Sequence, residues 1–141
     1  MMTYSLIDTN IFVYAKFKDS PFHEVSKAFI DQVGHASGGY CVFQQILTEY
    51  YRFVVRYTNI QEGRESINQV LSLGGLTLLP WPSNLTSIWC NLIQQYAIEG
   101  RQIFDLQLVA AMQGSGINKI YIVILNKNET RLPIYSSTQN R

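Results

Sequence analysis

The chain is poor in the residues that mark several kinds of protein. It has two cysteines and two histidines among 141 residues, and charged side chains make up only 15% of it. Cys41 and Cys90 lie in apolar surroundings without the spacing of metal ligands, which favours buried reduced thiols over a disulfide. His23 and His35 lie in sequence far from the candidate acids described below. We therefore expect neither a zinc site, nor a disulfide framework, nor a histidine general base.

Long apolar runs and several catalytic motifs are also missing. No apolar run approaches about 18 residues, the length of a membrane span, and the N-terminus has no basic region followed by an apolar signal core. The chain contains no Gly-x-Ser-x-Gly, no phosphate-loop Gly-Lys-Ser/Thr and no Gly-x-Gly-x-x-Gly. We expect a cytoplasmic protein that does not contact a membrane and that uses neither a serine triad nor a bound dinucleotide.

Length and composition predict one globular domain. Hydrophobic residues make up 47% of the 141 residues, which is enough for a single core and short for two. The net charge of +1 gives no general signal for nucleic acid, so any such contact would need a local basic patch. We expect the domain to span residues 1–135 and to be followed by a C-terminal tail at 136–141.

Strands and helices alternate along the chain. The stretch from Ser5 to Ala15 has the pattern of a strand, a loop carrying Asp8 and a helix. Further strands are predicted at 40–43, 76–79 and 120–125, with an edge strand at 132–135, and helices at 20–34, 44–57, 59–73, from 83 or 84 to Gly100, and from Asp105 to Gly114 or Gly116. The apolar faces of two of these helices include Tyr57 and Tyr96. This alternation predicts an α/β fold with a parallel four- or five-stranded sheet flanked by helices.

Three of the ten acidic residues fall where a solvated charge is not expected. Asp8 ends an apolar strand, and Asp105 follows two apolar residues at the start of a helix, where helix capping alone would explain it. Glu49 shares the apolar side of its helix with Ile46 and Phe53, where a lone carboxylate is costly.

Each of these acids has a structural explanation, and together they have a chemical one. Arg52 and Arg56 could neutralise Glu49 as an ion pair. Because a parallel sheet brings strand ends and helix starts to one edge, Asp8, Glu49 and Asp105 can instead converge there. Three carboxylates in one cleft repel one another unless they are protonated or hold a cation, and an all-oxygen site suits Mg²⁺ or Mn²⁺.

In these motifs the chain resembles the PIN-domain family, particularly the VapC-like toxin ribonucleases. The resemblance is carried by Leu6-Ile7-Asp8-Thr9-Asn10, by Gln44 to Tyr50 around Glu49, by Ile103 to Ala111 around Asp105, and by the strand that ends Ile124-Leu125-Asn126. It implies a PIN-like single domain and a metal-dependent endoribonuclease, a hydrolase in which Asp8, Glu49 and Asp105 bind one or two Mg²⁺ or Mn²⁺ ions. It also implies that Thr9 and Asn10 shape the site and position substrate or water.

The fourth motif departs from the family pattern. Many members have Thr-x-Asp where this chain has Ile124-Leu125-Asn126. The resemblance implies a catalytic role for the Asn126 amide, while the missing hydroxyl at Ile124 leaves a second metal and full activity open. Glu129 could supply the charge instead, although a loop acid of this kind is usually exposed.

The resemblance implies particular partners and leaves two alternatives. As the toxin of a type II toxin–antitoxin pair, the protein would cleave RNA, bind a small antitoxin and form a homodimer. The residues expected to contact phosphates at the same edge are Lys16, Lys18, Arg101, Lys127 and Arg131. One alternative is a catalytically impaired PIN-like scaffold that binds RNA or a protein. The other is a phosphoryl-transfer enzyme with Asp8 as nucleophile, although the known Asp-x-Asp pattern would require an acid at Asn10.

Overall fold

The computed structural model describes residues 3–123 and 134–138, and its centre is a five-stranded sheet. The strands are β1 (Ser5–Ile7), β2 (Tyr40–Val42), β3 (Leu76–Leu78), β4 (Lys119–Val123) and β5 (Ile134–Thr138). In the order β3-β2-β1-β4-β5, the first four strands are parallel, and β5 pairs antiparallel with β4. The predicted α/β fold with a parallel sheet is confirmed, and the fifth strand runs in the opposite direction.

The described residues form six helices that flank this sheet. They are α1 (Thr9–Lys16), α2 (His23–His35), α3 (Gln44–Tyr57), α4 (Ile60–Leu71), α5 (Leu85–Gln95) and α6 (Gln102–Gly114). The helices pack as consecutive pairs, α1 on α2, α3 on α4 and α5 on α6. None of these helices is both long and apolar enough to cross a membrane.

The start of α2 and the exposure of two tyrosines at helix ends differ from the prediction. Residue 20 does not begin α2, because Ser20 Oγ accepts a hydrogen bond from the Phe22 backbone N–H at 3.1 Å in a turn that precedes the helix. Tyr57 and Tyr96 were predicted to face inward. Both predictions are wrong, because the side chains are 60% and 54% exposed. Each lies at the C-terminal end of its helix: Tyr57 is the last residue of α3, and Tyr96 follows the last residue of α5.

The main core lies between the central strands and the helices. Leu6 and Ile7 of β1 and Cys41 and Val42 of β2 are fully buried, as expected for parallel strands covered on both faces. The same was expected of β4, but there only Val123 is buried and the residues before it are half-buried. Position in the sheet does not account for this difference, since β2 also lies one strand from the edge.

A second, smaller apolar cluster joins α5 to α6. Its buried members are Leu92 of α5 and Leu106 and Ala110 of α6. The later part of α6 reaches the main core through Leu108 and Met112. The buried residues of α6 therefore alternate between the two clusters, and the helix packs on α5 with one face and on the main core with another.

The last described strand changes the expected end of the domain. β5 reaches Thr138, whereas the edge strand was predicted to end at Tyr135 and the tail to begin at residue 136. Residues 136–138 instead pair with the first three residues of β4, Lys119 to Tyr121. The predicted positions Leu132 and Arg141 lie outside the described residues.

The order of the strands fixes where a site can form. From β1 the chain moves outward through β2 to β3, and it then returns to the other side of β1 with β4. The reversal leaves a crevice at the carboxyl end of β1, the position where open α/β sheets bind ligands. Asp8 is the residue that follows β1, and its backbone N–H donates to the Tyr121 carbonyl of β4 at 3.0 Å.

Candidate active site

Asp8 lies between the central strand and α1, where its surroundings oppose its negative charge. Its carboxylate caps α1 by accepting a hydrogen bond from the Asn10 backbone N–H at 3.0 Å. Burial has the largest effect on the pKa of Asp8 and raises it, while the bond from Asn10 lowers it. The charges of Glu49 and Asp105 raise this pKa further. The structure therefore brings the three sequence-predicted acids within electrostatic reach of one another.

Glu49 was predicted to lie on the buried face of α3, but its side chain is exposed. Ile46 and Tyr50 are buried, and Glu49 lies at the edge of that stripe, where it faces a cleft. Both of its carboxylate oxygens are held: Oε2 accepts from Thr9 Oγ1 at 2.9 Å, and Oε1 accepts from Gln45 Nε2 at 3.0 Å. The carboxylate is thus fixed by neutral donors.

The alternative explanation of Glu49 as half of an ion pair is wrong for the described part of the chain. The one salt bridge seen there joins Lys16 Nζ to Glu62 Oε2 at 3.0 Å. Neither Arg52 nor Arg56 is within ion-pair distance of a described carboxylate. The charge of Glu49 therefore remains available to a cation.

Asp105 lies in the first turn of α6 and not at its N-cap, so the capping explanation is also wrong. The helix begins at Gln102, three residues earlier than predicted, because Gly100 adopts a positive φ of 67° and a turn precedes the helix. Ile103 and Phe104 are 44% and 58% exposed, so they do not lead from a buried strand. A carboxylate in the first turn is favoured by the helix dipole.

Two amide side chains, those of Asn10 and Asn126, were expected at the site, and the described residues include Asn10 but not Asn126. Asn10 Nδ2 donates to the Val123 carbonyl at 3.0 Å, and the Val123 N–H donates to Asn10 Oδ1 at 3.4 Å. Asn10 therefore fixes the end of β4 beside α1, which is a structural role. Asn126 lies outside the described residues, as do Ile124 and Glu129.

Glu49 and Asp105 line a cleft of about 500 Å³, together with Thr9. Three arginines line the same cleft: Arg52, Arg56 and Arg101. Arg101 had been predicted to face phosphates, whereas Arg52 and Arg56 had been interpreted only as partners of Glu49. Arg52 and Arg56 follow Glu49 by three and seven residues on one helix. This spacing places the three side chains along one side of α3, and it was the sequence signal for a shared cleft.

Aromatic side chains complete the cleft. Phe53, Tyr57 and Phe104 line it, and Phe104 and Tyr57 are more than half exposed. The Arg56 guanidinium lies 5.6 Å from the centre of the Tyr57 ring. Acids, arginines and exposed rings thus face a single space.

Two of the predicted phosphate contacts lie elsewhere. Lys16 and Lys18 line a separate cavity of about 330 Å³, together with residues of α2 and α4 such as Lys27 and Gln69. They do not share the cleft of the acids, because they follow the far end of α1. Lys127 and Arg131, the remaining predicted contacts, are outside the described residues.

The donor chemistry of the acids fits a hard divalent cation. Asp8, Glu49 and Asp105 offer only oxygen ligands, and the pKa of Asp8 is raised first by burial and then by the negative charges of Glu49 and Asp105. Within 3–123 and 134–138, no three histidine, cysteine, aspartate or glutamate side chains are already grouped closely enough to hold a metal ion. Such a group is not required for Mg²⁺, which commonly keeps several waters and binds through one or two carboxylates.

An α/β domain with acids gathered at the carboxyl edge of its parallel strands belongs to the class of folds that bind ligands at a strand crossover. Residues 5–123 match the PIN domain family model. The match covers most of the chain, and the protein belongs to the PIN domain family.

Solved structures show the same fold in VapC toxins. VapC20 of Mycobacterium tuberculosis, described as a toxin that cleaves the sarcin–ricin loop, has a TM-score of 0.63 and 16% identity over 82% of this chain and 85% of its own. VapBC2 of Rickettsia felis, solved with a DNA fragment from its promoter, has a TM-score of 0.61 and 18% identity over 82% of this chain and 84% of its own. No curated protein has a significant sequence match. At these identities, the structural likeness establishes the fold.

Proposed function

We propose that the protein is a Mg²⁺- or Mn²⁺-dependent endoribonuclease, and that it is the toxin of a type II toxin–antitoxin pair in the cytoplasm. The observation that carries this proposal is the cleft in which Glu49 and Asp105 face three arginines without a described ion-pair partner. Acids suited to a divalent cation beside cations suited to phosphates are what hydrolysis of a polyanion requires. Membership of the PIN domain family and the fold shared with VapC toxins support the same function.

Within this function, each side chain has a specific task. Asp8, Glu49 and Asp105 bind the ion, and the Asn126 amide, which lies outside the described residues, takes part in catalysis. When bound, the ion supplies Lewis acidity and neutralises charge on the phosphodiester. Thr9 holds Glu49 in place, and Asn10 holds the end of β4 against α1.

The rest of the cleft would bind RNA. Arg52, Arg56 and Arg101 contact phosphates, which positions the chain without reading its sequence. The exposed rings of Tyr57 and Phe104 offer surfaces on which unpaired bases stack, a common mode of recognition for single-stranded RNA. A small antitoxin and a second copy of the chain are the proposed protein partners.

The test is cleavage of a mixed structured RNA in Mg²⁺, Mn²⁺ or EDTA by the wild type, Asp8→Asn and Asp105→Asn. The control is Asp19→Asn, which removes an exposed loop acid outside the cleft. We expect metal-dependent cleavage by the wild type and the control only. A folded wild type that neither cleaves RNA nor binds Mn²⁺ by calorimetry would leave a binding scaffold as the function.

A further inference from the structure

Gln45 lies one helical turn before Glu49, and its side chain connects two helices. Its Nε2 donates to Glu49 Oε1 at 3.0 Å and to the backbone carbonyl of Phe104 at 3.3 Å. Phe104 immediately precedes Asp105 in the first turn of α6. One amide group therefore contacts one proposed metal ligand directly and holds the backbone beside another.

The chemistry of the two acceptors fixes the orientation of this amide. A carboxylate and a carbonyl can only accept, so the NH₂ group must face them, and its two hydrogens match the two acceptors. The opposite orientation would place Gln45 Oε1 against two other oxygens. The amide orientation consequently follows from its surroundings.

Gln45 Oε1 is buried and has no hydrogen-bond partner among the described residues. Buried polar atoms of folded proteins are nearly always paired, so an unpaired one calls for a functional or structural reason. Replacing Gln45 by an apolar residue would remove this unpaired oxygen. Its retention fits a residue whose two donated bonds serve the site.

The first turn of α6 needs such a connection because its own apolar residues do not anchor it. Ile103 and Phe104 are exposed, and the nearest buried residue, Leu106, belongs to the small cluster with α5. Within residues 3–123, the contact from Gln45 is the hydrogen bond seen between α3 and α6. Gln45 thus links the first turn of α6 to α3.

We propose that Gln45 is a positioning residue that sets the distance between the Glu49 and Asp105 carboxylates. It fixes the rotamer of Glu49 and, through the Phe104 carbonyl, the place of the turn that bears Asp105. This inference rests on the proposed function, since these two acids are proposed ligands of the divalent ion. Partners that orient metal ligands in this way typically change metal affinity or activity by about 10- to 100-fold when removed.

The test compares Gln45→Met and Gln45→Glu with the wild type. Methionine keeps the length of the side chain without a donor, and glutamate keeps its shape and polarity but offers two acceptors to Glu49 and the Phe104 carbonyl. The matched control is Gln44→Met, because Gln44 is exposed and bonds only to Thr48 on its own helix, at 3.4 Å.

Three measurements separate a positioning role from a merely structural one. In metal-free protein, hydrogen exchange in the first turn of α6 should accelerate in both Gln45 variants while the sheet stays protected. Calorimetry should show Mn²⁺ affinity about 10-fold weaker, and kcat for RNA should fall by about 10-fold with KM within about twofold. Gln44→Met should match the wild type in all three.

The outcomes distinguish this inference from the proposed function. Unchanged exchange in the first turn of α6 would overturn the role of Gln45, whether or not the wild type cleaves RNA. Faster exchange with unchanged Mn²⁺ affinity and kcat would make Gln45 a structural residue only and would equally overturn the proposal. A wild type that binds Mn²⁺ but cleaves no RNA would remove the ribonuclease function and leave Gln45 to be judged on exchange and affinity.

Discussion

Asn10 and Val123 are joined by two hydrogen bonds, so a side chain at the start of α1 pairs with the last described residue of a strand 113 positions away. The Asn10 amide presents its oxygen and its nitrogen to Val123 as a neighbouring strand would. β1 ends at Ile7, and Asn10 extends the pairing of β4 past that point. An amide is required, because only it offers a donor and an acceptor side by side.

Asn10→Ala should lower the free energy of unfolding by about 1–3 kcal/mol, because the partly buried N–H and C=O of Val123 lose their partners. Asn10→Asp should be at least as destabilising, since it replaces the donor by a charge beside Asp8. Urea unfolding at neutral pH provides the measurement. Asn91→Ala, at an exposed position of α5, is the control and should change little. Equal stability of Asn10→Ala and the wild type would show that the two bonds contribute nothing.

Asp8→Asn should abolish RNA cleavage and yet stabilise the metal-free fold at neutral pH. The folded pKa of Asp8 is raised above 3.8, so the native state binds the proton more tightly than the unfolded chain does. The resulting destabilisation is present above the folded pKa and disappears as the pH falls through it toward 3.8. The difference in unfolding free energy between variant and wild type, measured in EDTA, should therefore shrink with falling pH. A constant difference across this range would contradict the raised pKa.

Thr9→Val should reduce kcat by about 10-fold with little change in stability, because Glu49 Oε2 loses the donor that holds it at 2.9 Å. Thr9→Ser keeps that hydroxyl and should retain most of the activity. Thr48→Val is the control: Thr48 is adjacent to Glu49, but its hydroxyl bonds back to the Gln44 carbonyl. Single-turnover cleavage separates the effect on chemistry from the effect on RNA binding. If Thr9→Ser and Thr9→Val reduced kcat equally, the loss of the Thr9 hydroxyl would be excluded as the cause of the reduction.

Arg101→Gln should weaken RNA binding and reduce its salt dependence. Each phosphate contact to a single strand contributes about 0.7 to the slope of log affinity against log salt, so one lost contact should lower the slope by about that amount. Binding is measured with Asp8→Asn in the background to prevent cleavage. Arg64→Gln removes an exposed arginine of α4 outside the cleft and should leave both affinity and slope unchanged. If Arg101→Gln and Arg64→Gln weakened RNA binding to the same extent, the effect would come from the overall charge of the protein and not from a contact in the cleft.

The fold could be predicted from sequence because its signals are local. The apolar run around Leu6, the alternation of strands with helices and the amphipathic pattern of α3 each depend on residues within one element. The antiparallel direction of β5 could not be predicted, because a strand pattern does not encode the direction of its partner. Burial along β4 was overestimated as well, because β-branched composition does not reveal how much of a strand its neighbouring elements cover.

The candidate site could be proposed from the sequence as a set of residues, and its geometry could not. Asp8, Glu49 and Asp105 were identified because acids are rare and these three follow apolar patterns. The buried position expected for Glu49 was wrong, since its side chain is exposed, and the capping alternative for Asp105 was wrong, since Asp105 lies within the first turn of α6. Gln45 was missed altogether, because its two bonds depend on the placement of α6, 59 positions away in sequence.

The small cluster that joins α5 to α6 has a consequence for heat resistance. Asp105 lies in the part of α6 that shares its buried contacts with α5, while Asp8 and Glu49 are attached to the sheet and α3. The first turn of α6 has no buried residue of its own, so it can open at a lower temperature than the main core unfolds. On warming, RNA cleavage should therefore be lost at a lower temperature than that at which the circular dichroism of the protein changes. Brief cooling should restore the activity without refolding of the whole chain.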